Sequence, residues 1–201
     1  SHQIRKHVVD LVNGCNVKML TVPSFDDLLL GRVAISQLRA VELDDLLGRD
    51  PVQMDVEGGH ALLNNKVVMV TGAGGSIGSE LCRQIAHFSP QTLLLFEANE
   101  FALYNMEQEF ARTFPQLEII CLAGDVRDEA RVEQVFEQFK PAVVFHAAAY
   151  KHVPLMEQQN SWQAVRNNVF GTWCVASTAW SHATEKFVLI LTDKAVNPTN
   201  V

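Results

Sequence analysis

From residue 66 onward, short apolar segments alternate with segments whose apolar residues recur at helical spacing. The apolar segments predict strands at residues 66–71, 92–97, 117–122, 142–147 and 186–192. The amphipathic segments predict helices at residues 76–88, 99–113, 127–139 and 160–182. This alternation predicts a doubly wound α/β domain, in which helices cover both faces of a parallel sheet. Such a sheet binds its ligand across the carboxyl ends of its strands.

The first 50 residues follow a less regular pattern. Residues 3–13 place apolar groups at helical spacing, and residues 17–22 read as a strand that Pro23 ends. Residues 33–41 read as a further extended segment. A helix followed by a strand is typical of an α/β repeat, so we predict that residues 1–50 are the tail of a small preceding α/β domain.

Residues 51–64 contain Pro51, Gly58 and Gly59 and are predicted to be a linker. Residues 65–201 then form the doubly wound domain. This domain is expected to be incomplete at its C-terminus, because the chain stops soon after its fifth predicted strand. The chain also begins with Ser-His rather than Met, so we expect a piece of a larger protein.

Composition excludes several classes of function. Apolar residues make up 48% of the chain, enough to bury a core, and the net charge of −7 disfavours a nucleic-acid partner.

The four cysteines are scattered, without the spacing of metal ligands, and are predicted to be reduced thiols. No metal site is predicted, because His152 has no Cys, His or Asp partner at ligand spacing. No apolar run reaches the roughly 18 residues of a membrane span, and no signal peptide is visible.

A glycine-rich sequence, Thr-Gly-Ala-Gly-Gly-Ser-Ile-Gly at 71–78, joins the first predicted strand to the first helix. Gly72 allows a tight turn, Gly75 lets the backbone approach a pyrophosphate, and Gly78 lets the helix pack close to the strand. The helix N-terminus adds free N–H groups and a positive dipole end. The predicted dinucleotide-binding residues of this Rossmann-type turn are Gly72, Gly75, Ser76, Ile77 and Gly78. An ordinary glycine-rich turn would leave Thr71 and the regular glycine spacing unexplained.

Glu97 ends the second predicted strand, 19 residues after Gly78. A carboxylate at this position accepts hydrogen bonds from both hydroxyls of the adenosine ribose and repels a 2′-phosphate, so it favours NAD over NADP. No Arg or Lys follows it directly. The alternative is a solvated acid at the end of a strand.

Polar and small residues also follow the third and fourth strands. Asp125 is positioned to receive the adenine amino group, with Val126 packed on the ring, although Asp125 would serve equally well as the N-cap of the next helix. The small side chains of Ala147, Ala148 and Ala149 let ribose and pyrophosphate lie against the backbone. His146, just before them, is more typical of a core histidine.

Asn168 lies in the fourth predicted helix and is a further predicted cofactor-binding residue, which can bridge backbone groups beside the active site. The alternative is that Asn168 caps or kinks the helix near Gly171. Thr192, Asp193 and Lys194 follow the fifth strand. A hydroxyl, an acid and an amine at this edge of the sheet can supply a hydrogen-bond donor, a general acid and a general base. A surface Asp-Lys pair after a strand is the alternative.

Together these motifs resemble the extended short-chain dehydrogenase/reductases, and more closely the CapD-like nucleotide-sugar 4,6-dehydratases of bacterial polysaccharide synthesis. The resemblance covers about residues 60–201. The residues that carry it are TGAGGSIGSEL at 71–81, GDVRD at 124–128, HAAAYKHVPLME at 146–157, residues 168–172 and TDKAVNPT at 192–199.

The resemblance implies dehydration of a UDP-N-acetylhexosamine with NAD as cofactor and NADP as the alternative. C4 of the sugar is oxidised, Lys194 removes the C5 proton, Asp193 protonates the departing C6 hydroxyl, and hydride returns to C6. Thr192 supplies the hydroxyl of the triad. Lys151 and His152 are the expected substrate contacts.

The resemblance also implies a homo-oligomer whose parent protein is anchored in the bacterial inner membrane, with the domain on the cytoplasmic face. The family's Tyr- or Met-x-x-x-Lys element would lie beyond Val201, so the fragment alone is expected to be inactive. Two alternatives remain at this point. A nucleotide-sugar 4-epimerase shares fold and cofactor but does not need the Asp-Lys pair, and a non-catalytic NAD-binding module would need no triad at all.

Overall fold

The structure, a computed structural model, describes residues 20–21, 39–40 and 56–191. The chain divides into two compact units, residues 1–53 and 54–201. In the first unit, strand β1 (Leu20–Thr21) pairs antiparallel with β2 (Arg39–Ala40). Both lie within segments predicted to be extended, whereas the helix predicted at residues 3–13 lies outside the described residues.

The second unit is built on a five-stranded parallel sheet. Its strands are β3 (Val67–Thr71), β4 (Thr92–Glu97), β5 (Glu118–Ala123), β6 (Val143–His146) and β7 (Lys186–Leu189). Their spatial order is β5-β4-β3-β6-β7, with every neighbouring pair parallel. The chain therefore builds outward from β3 in one direction and then crosses to its other side, which confirms the predicted doubly wound sheet. The strand order reverses between β3 and β6, where such folds bind ligands.

The helices match the prediction in part. They are α1 (Val56–Leu63), α2 (Ser76–Ala86), α3 (Glu100–Thr113), α4 (Glu129–Phe139), α5 (Val153–Gln159), α6 (Ser161–Val165), a π-helix (Arg166–Gly171) and α7 (Thr172–Ser181). Helix α1 lies inside the segment predicted to be a linker. Helix α5 lies between the fourth predicted strand and the fourth predicted helix, where no helix was predicted. The single long helix predicted at 160–182 is instead three helical pieces in succession.

Two apolar layers cover the sheet, because successive side chains along a strand point to opposite faces. Val68 and Val70 of β3 pack with residues of α2 and α3, including Ile85 and Phe110. Met69, between them, belongs to the opposite layer, which includes side chains of α4 and α7. Helices therefore cover both faces, as predicted, and the strand ends with their loops are left for the site.

The three tryptophans of the chain lie on the helical segment that follows β6. Trp162, Trp173 and Trp180 are 61%, 72% and 88% exposed, respectively. The buried residues of the same segment, such as Val175 and Ala179, face the sheet. None of the helices in the described part of the chain has the length and apolar character needed to cross a membrane.

Candidate functional site

A cleft of about 330 Å³ opens at the carboxyl edge of the sheet. The loops that follow β3, β4, β5 and β6 form its walls, together with one residue of the π-helix. The lining residues are Gly72, Gly74, Gly75, Phe96, Glu97, Ala98, Asn99, Ala102, Gly124, Asp125, Val126, Arg127, Ala147, Ala148, Ala149, Tyr150 and Asn167. The cleft therefore lies at the reversal of strand order, where the topology alone places a ligand.

The glycine turn is shaped by close backbone contacts. Gly72 has a φ of +67°, and a Cβ atom there would lie 2.8 Å from the Cα of Ala148. A Cβ at Gly78 would lie only 2.0 Å from the carbonyl oxygen of Gly72. These two positions therefore require glycine, one for the turn and one for the approach of α2.

Two further glycines of the turn behave differently from each other. A Cβ at Gly74 would lie 2.5 Å from the Cβ of Ala102 and 3.1 Å from Cγ of Glu97, so this position is constrained although no role was predicted for it. A Cβ at Gly75 would meet the Gly72 carbonyl oxygen at 3.3 Å, and Gly75 itself is exposed. At Gly75 the space that a side chain would occupy is therefore open to solvent.

Helix α2 begins directly after this turn, with Gly75 as its N-cap. No side chain caps this N-terminus, and its first turn carries no acidic residue. Ser76 and Ile77, the first two helical residues, are exposed. Uncapped N–H groups and the positive end of the helix dipole make this end suited to an anion such as a phosphate.

The half-buried carboxylate of Glu97 is tied to the glycine turn. Its Oε2 accepts a hydrogen bond from the backbone N–H of Gly74 at 2.9 Å, and its Oε1 accepts one from the N–H of Asn99 at 2.9 Å. A carboxylate has about four acceptor positions, so about two remain for other donors. Glu97 is therefore fixed in the wall of the cleft rather than solvated freely at a strand end.

Asp125 and its neighbours form the wall after β5. Asp125 is not the N-cap of α4, because the side chain of Asp128 caps that helix through the N–H of Arg131. The Asp125 carboxylate instead accepts hydrogen bonds from the backbone N–H and the guanidinium of Arg127, which lower the pKa of Asp125. Val126 is buried and lines the cleft. The N-cap alternative for Asp125 is thus wrong.

His146 is a core histidine, 2% exposed. Its Nδ1 lies 2.7 Å from the hydroxyl of Thr71, and its Nε2 lies 3.0 Å from the hydroxyl of Thr172. The imidazole therefore joins the ends of β3 and β6 to the start of α7, directly behind the cleft.

Burial lowers the pKa of His146 from its usual 6.5 to about 4. Between these values the unfolded chain binds more protons than the folded protein, so the free energy of unfolding should decrease as the pH falls, by up to about 1.4 kcal/mol per pH unit. We expect His146→Gln to lose this part of the pH dependence, measured by urea unfolding at about pH 4.5 and about pH 7. His152→Gln is the control for removing a histidine from the surface. An unchanged dependence in His146→Gln would contradict the expectation.

Two asparagines of the π-helix brace the wall formed by the alanines. Asn168 bridges the backbone of Tyr150, accepting from its N–H and donating to its carbonyl oxygen, both at 2.9 Å. Asn167 donates to the carbonyl oxygen of Ala148 at 3.1 Å and lines the cleft. Asn168 therefore bridges backbone groups, as its position indicated, but it is Asn167 that faces the cleft.

The structure describes the predicted substrate contacts but not the predicted catalytic triad. Lys151 and His152 are exposed and immediately follow Tyr150, at the start of α5. Neither is among the residues that line the cleft. The triad predicted at residues 192–194 lies outside the described residues. Strand β7 ends at Leu189, at the same edge of the sheet as the cleft.

Sequence reasoning missed several residues of the cleft wall. These are Gly74, Phe96, Ala98, Asn99, Ala102, Gly124, Arg127, Tyr150 and Asn167. Three of them had a signal in the sequence, since Gly74 lies within the glycine motif, Arg127 within GDVRD, and Asn167 beside Asn168. Across residues 56–191, no cluster of three His, Cys, Asp or Glu side chains could hold a metal ion.

The chain is similar to several known proteins. The chain is 44% identical to the capsular polysaccharide biosynthesis protein CapD of Staphylococcus aureus, over 98% of this chain and 33% of CapD. It is 28% identical to a UDP-N-acetylglucosamine 4,6-dehydratase (inverting) of Campylobacter jejuni, over 70% of this chain and 40% of that enzyme. The chain spans about a third of the length of the curated relatives that it matches over most of its residues.

Solved structures share the fold. Pen from Bacillus thuringiensis aligns with a TM-score of 0.62 and 29% identity, over 69% of this chain and 42% of Pen. A UDP-glucose 4-epimerase from Bifidobacterium longum, solved with NAD⁺ and UDP, aligns with a TM-score of 0.54 and 23% identity, over 64% of this chain and 37% of the epimerase. Residues 68–201 match the family described as "Polysaccharide biosynthesis protein". The chain therefore belongs to this polysaccharide biosynthesis family.

Proposed function

We propose that the cleft binds a nicotinamide dinucleotide. Three features fit such a ligand: the glycine cradle that a Cβ at Gly72 or Gly78 would fill, the uncapped N-terminus of α2, and the alanine wall after β6. The observation that carries the proposal is the Glu97 carboxylate bound to the Gly74 N–H, because it joins the acid and the phosphate turn in one cleft. Gly75, Ser76 and Ile77 would face the pyrophosphate, and Ala147, Ala148 and Ala149 the adjoining ribose.

We propose NAD rather than NADP as the cofactor. The remaining acceptor positions of Glu97 suit the two hydroxyls of an adenosine ribose, whereas a 2′-phosphate would meet a fixed negative charge. The two residues that follow, Ala98 and Asn99, bring no positive charge to offset it. Asp125 and Val126 would form the adenine end of the cleft.

We further propose that the complete protein is a nucleotide-sugar 4,6-dehydratase that acts on a UDP-N-acetylhexosamine. The support is the relative named as a UDP-N-acetylglucosamine 4,6-dehydratase and the Thr-Asp-Lys sequence that follows β7. The cofactor, when bound, supplies reversible hydride transfer with the sugar. Everything else in the reaction is proton transfer and positioning by side chains.

The proposed roles of the triad follow from what elimination of water requires. Oxidation at C4 acidifies the C5 proton, which Lys194 would remove as general base. The C6 hydroxyl leaves as water when Asp193 protonates it. Thr192 would donate a hydrogen bond to the sugar, and Lys151 and His152 would contact the nucleotide sugar from the loop before α5. An amine acts as a base only when it is partly neutral, so the site would have to lower the pKa of Lys194.

Mass spectrometry of the sugar nucleotide tests this function. UDP-N-acetylglucosamine is incubated with NAD⁺ and the native protein at full length, with a sample lacking protein as the blank. We expect a product lighter by one water, formed faster with NAD⁺ than with NADP⁺. An unchanged mass together with a new stereoisomer would instead establish an epimerase.

A nucleotide-sugar 4-epimerase is the second candidate, since one structural neighbour is a UDP-glucose 4-epimerase. Epimerisation transfers hydride at C4 and needs no acid for a departing C6 hydroxyl, so the Asp193-Lys194 pair favours the dehydratase. A non-catalytic NAD-binding module would leave the substrate untouched in the same experiment. The homo-oligomer, the membrane-anchored parent and its cytoplasmic face stay predictions from the resemblance.

A further inference from the structure

Arg127 holds Asp125, an acid at the adenine end of the proposed dinucleotide site. Its backbone N–H donates to Oδ1 of Asp125 at 2.9 Å. Its Nε lies 2.9 Å from Oδ1 and 3.0 Å from Oδ2, and its Nη2 donates to Oδ2. One residue therefore supplies three donors to a single carboxylate.

These contacts leave little of the carboxylate for a ligand. A carboxylate offers about four acceptor positions, and Arg127 uses three or four of them, depending on how its Nε is shared between the two oxygens. If Nε bonds only to Oδ2, one position on Oδ1 becomes free. Only a hydrogen-bond donor can fill it, because an ionised carboxylate has no proton to give.

The pair also limits how Asp125 can turn. The side chains of Asp125 and Arg127 are 34% and 26% exposed, and both line the cleft. A guanidinium fork fixes the plane of a carboxylate as well as its position. A backbone hydrogen bond from the Asp128 N–H to the Asp125 carbonyl oxygen, at 3.0 Å, also fixes the loop that carries the two side chains.

We propose that Arg127 is a positioning residue that makes the cleft selective for a base with an exocyclic amino group. With the fork in place and Nε bonded to Oδ2 alone, Asp125 presents one acceptor to the base and rejects a carbonyl oxygen at that point. Without it, the carboxylate can rotate away or be hydrated, and the two kinds of base are no longer distinguished. This inference rests on the proposed binding of a dinucleotide.

The test compares NAD⁺ with nicotinamide hypoxanthine dinucleotide, in which a carbonyl replaces the adenine amino group. Dissociation constants for both are measured by calorimetry on the full 201-residue chain. A charged hydrogen bond made by one ligand and lost by the other corresponds to roughly 10- to 100-fold in affinity, so we expect wild type to prefer NAD⁺ by that factor. In Arg127→Ala we expect the preference to fall to about 3-fold or less.

Two further variants separate positioning from charge and from folding. Arg127→Lys keeps the charge but not the fork, so it should also lose the preference. Arg131→Ala removes a guanidinium that donates to the Ala123 carbonyl oxygen and to Gln134, outside the cleft. This variant should keep the preference for NAD⁺. The pair of Asp125 and Arg127 is partly exposed, and ion pairs near the surface contribute little to stability, so the variants are expected to fold.

A general weakening of the site would lower both affinities equally and leave their ratio unchanged, and that result would overturn the inference. An equal affinity of the wild type for both dinucleotides would overturn it as well. Failure of the wild type to bind either one would refute the proposed dinucleotide site itself, and the inference with it.

Discussion

Replacing Gly78 with alanine is expected to lower the free energy of unfolding by about 3 kcal/mol. The added Cβ would lie 2.0 Å from the carbonyl oxygen and 2.7 Å from the carbonyl carbon of Gly72. Both are backbone atoms of the turn, so no side-chain rotation relieves the clash and α2 must move away from β3. The higher helix propensity of alanine offsets only about 1 kcal/mol of this. Urea unfolding followed by circular dichroism measures the difference.

Gly75→Ala is the matched control in the same turn. Its Cβ would lie 3.3 Å from the Gly72 carbonyl oxygen, and the residue is exposed with a φ of −72° that alanine adopts freely. We expect a loss below about 1 kcal/mol for this variant. Equal losses in the two variants would mean that the approach of α2 to the turn is not what requires glycine at 78.

Replacing Lys194 with alanine in the full-length protein is expected to lower kcat for dehydration by about 10³-fold, since a positioned general base contributes roughly 10² to 10⁴. The reason is chemical. Loss of the C5 proton is needed for elimination, and no neighbouring group in Thr192 or Asp193 replaces an amine as base. KM for the sugar nucleotide should change little, because the interaction is made chiefly in the transition state. Initial rates from the mass-spectrometric assay separate the two constants.

Lys186→Ala is the control for that measurement, because it removes an exposed lysine from the start of β7. It should keep its kcat. Full activity of Lys194→Ala would remove Lys194 from the proposed mechanism. A rise in KM at unchanged kcat would instead make Lys194 a binding residue.

The strands could be predicted because buried parallel strands are nearly continuous apolar runs. Residues 67–71 and 92–97 show such runs, and the structure places both in the interior of the sheet. The helix at Val153–Gln159 was missed because its first turn holds Pro154 and none of its residues is buried, so it has no apolar periodicity. Proline is well tolerated in a first turn, which makes it a poor signal for a loop.

The π-helix could not be predicted for a different reason. A wider helical turn changes the angular spacing of residues without changing their composition, so no residue type marks it. Its effect is visible only in three dimensions, where Asn167 and Asn168 both reach the loop at Ala148 and Tyr150. In a regular α-helix, adjacent residues lie on different faces. Only Asn168 was therefore predicted to reach the site.

In the site, backbone requirements were easier to predict than side-chain partners. Gly72 and Gly78 follow from steric rules that hold in any such turn. The roles of Asp125 and Asp128 did not, because both acids precede a helix and either could cap it. In the structure the guanidinium of Arg127 binds Asp125, and Asp128 caps the helix.

The outward position of all three tryptophans decides how unfolding of this protein can be followed. Trp162, Trp173 and Trp180 are more than half exposed, so their indole rings are already in contact with water in the folded chain. Emission from a hydrated indole changes little when the chain unfolds. The unfolding of Gly78→Ala should therefore change the tryptophan fluorescence only slightly. A molecule that covers the three tryptophans should change it strongly, so the emission maximum of the folded protein reports whether their rings are exposed to water.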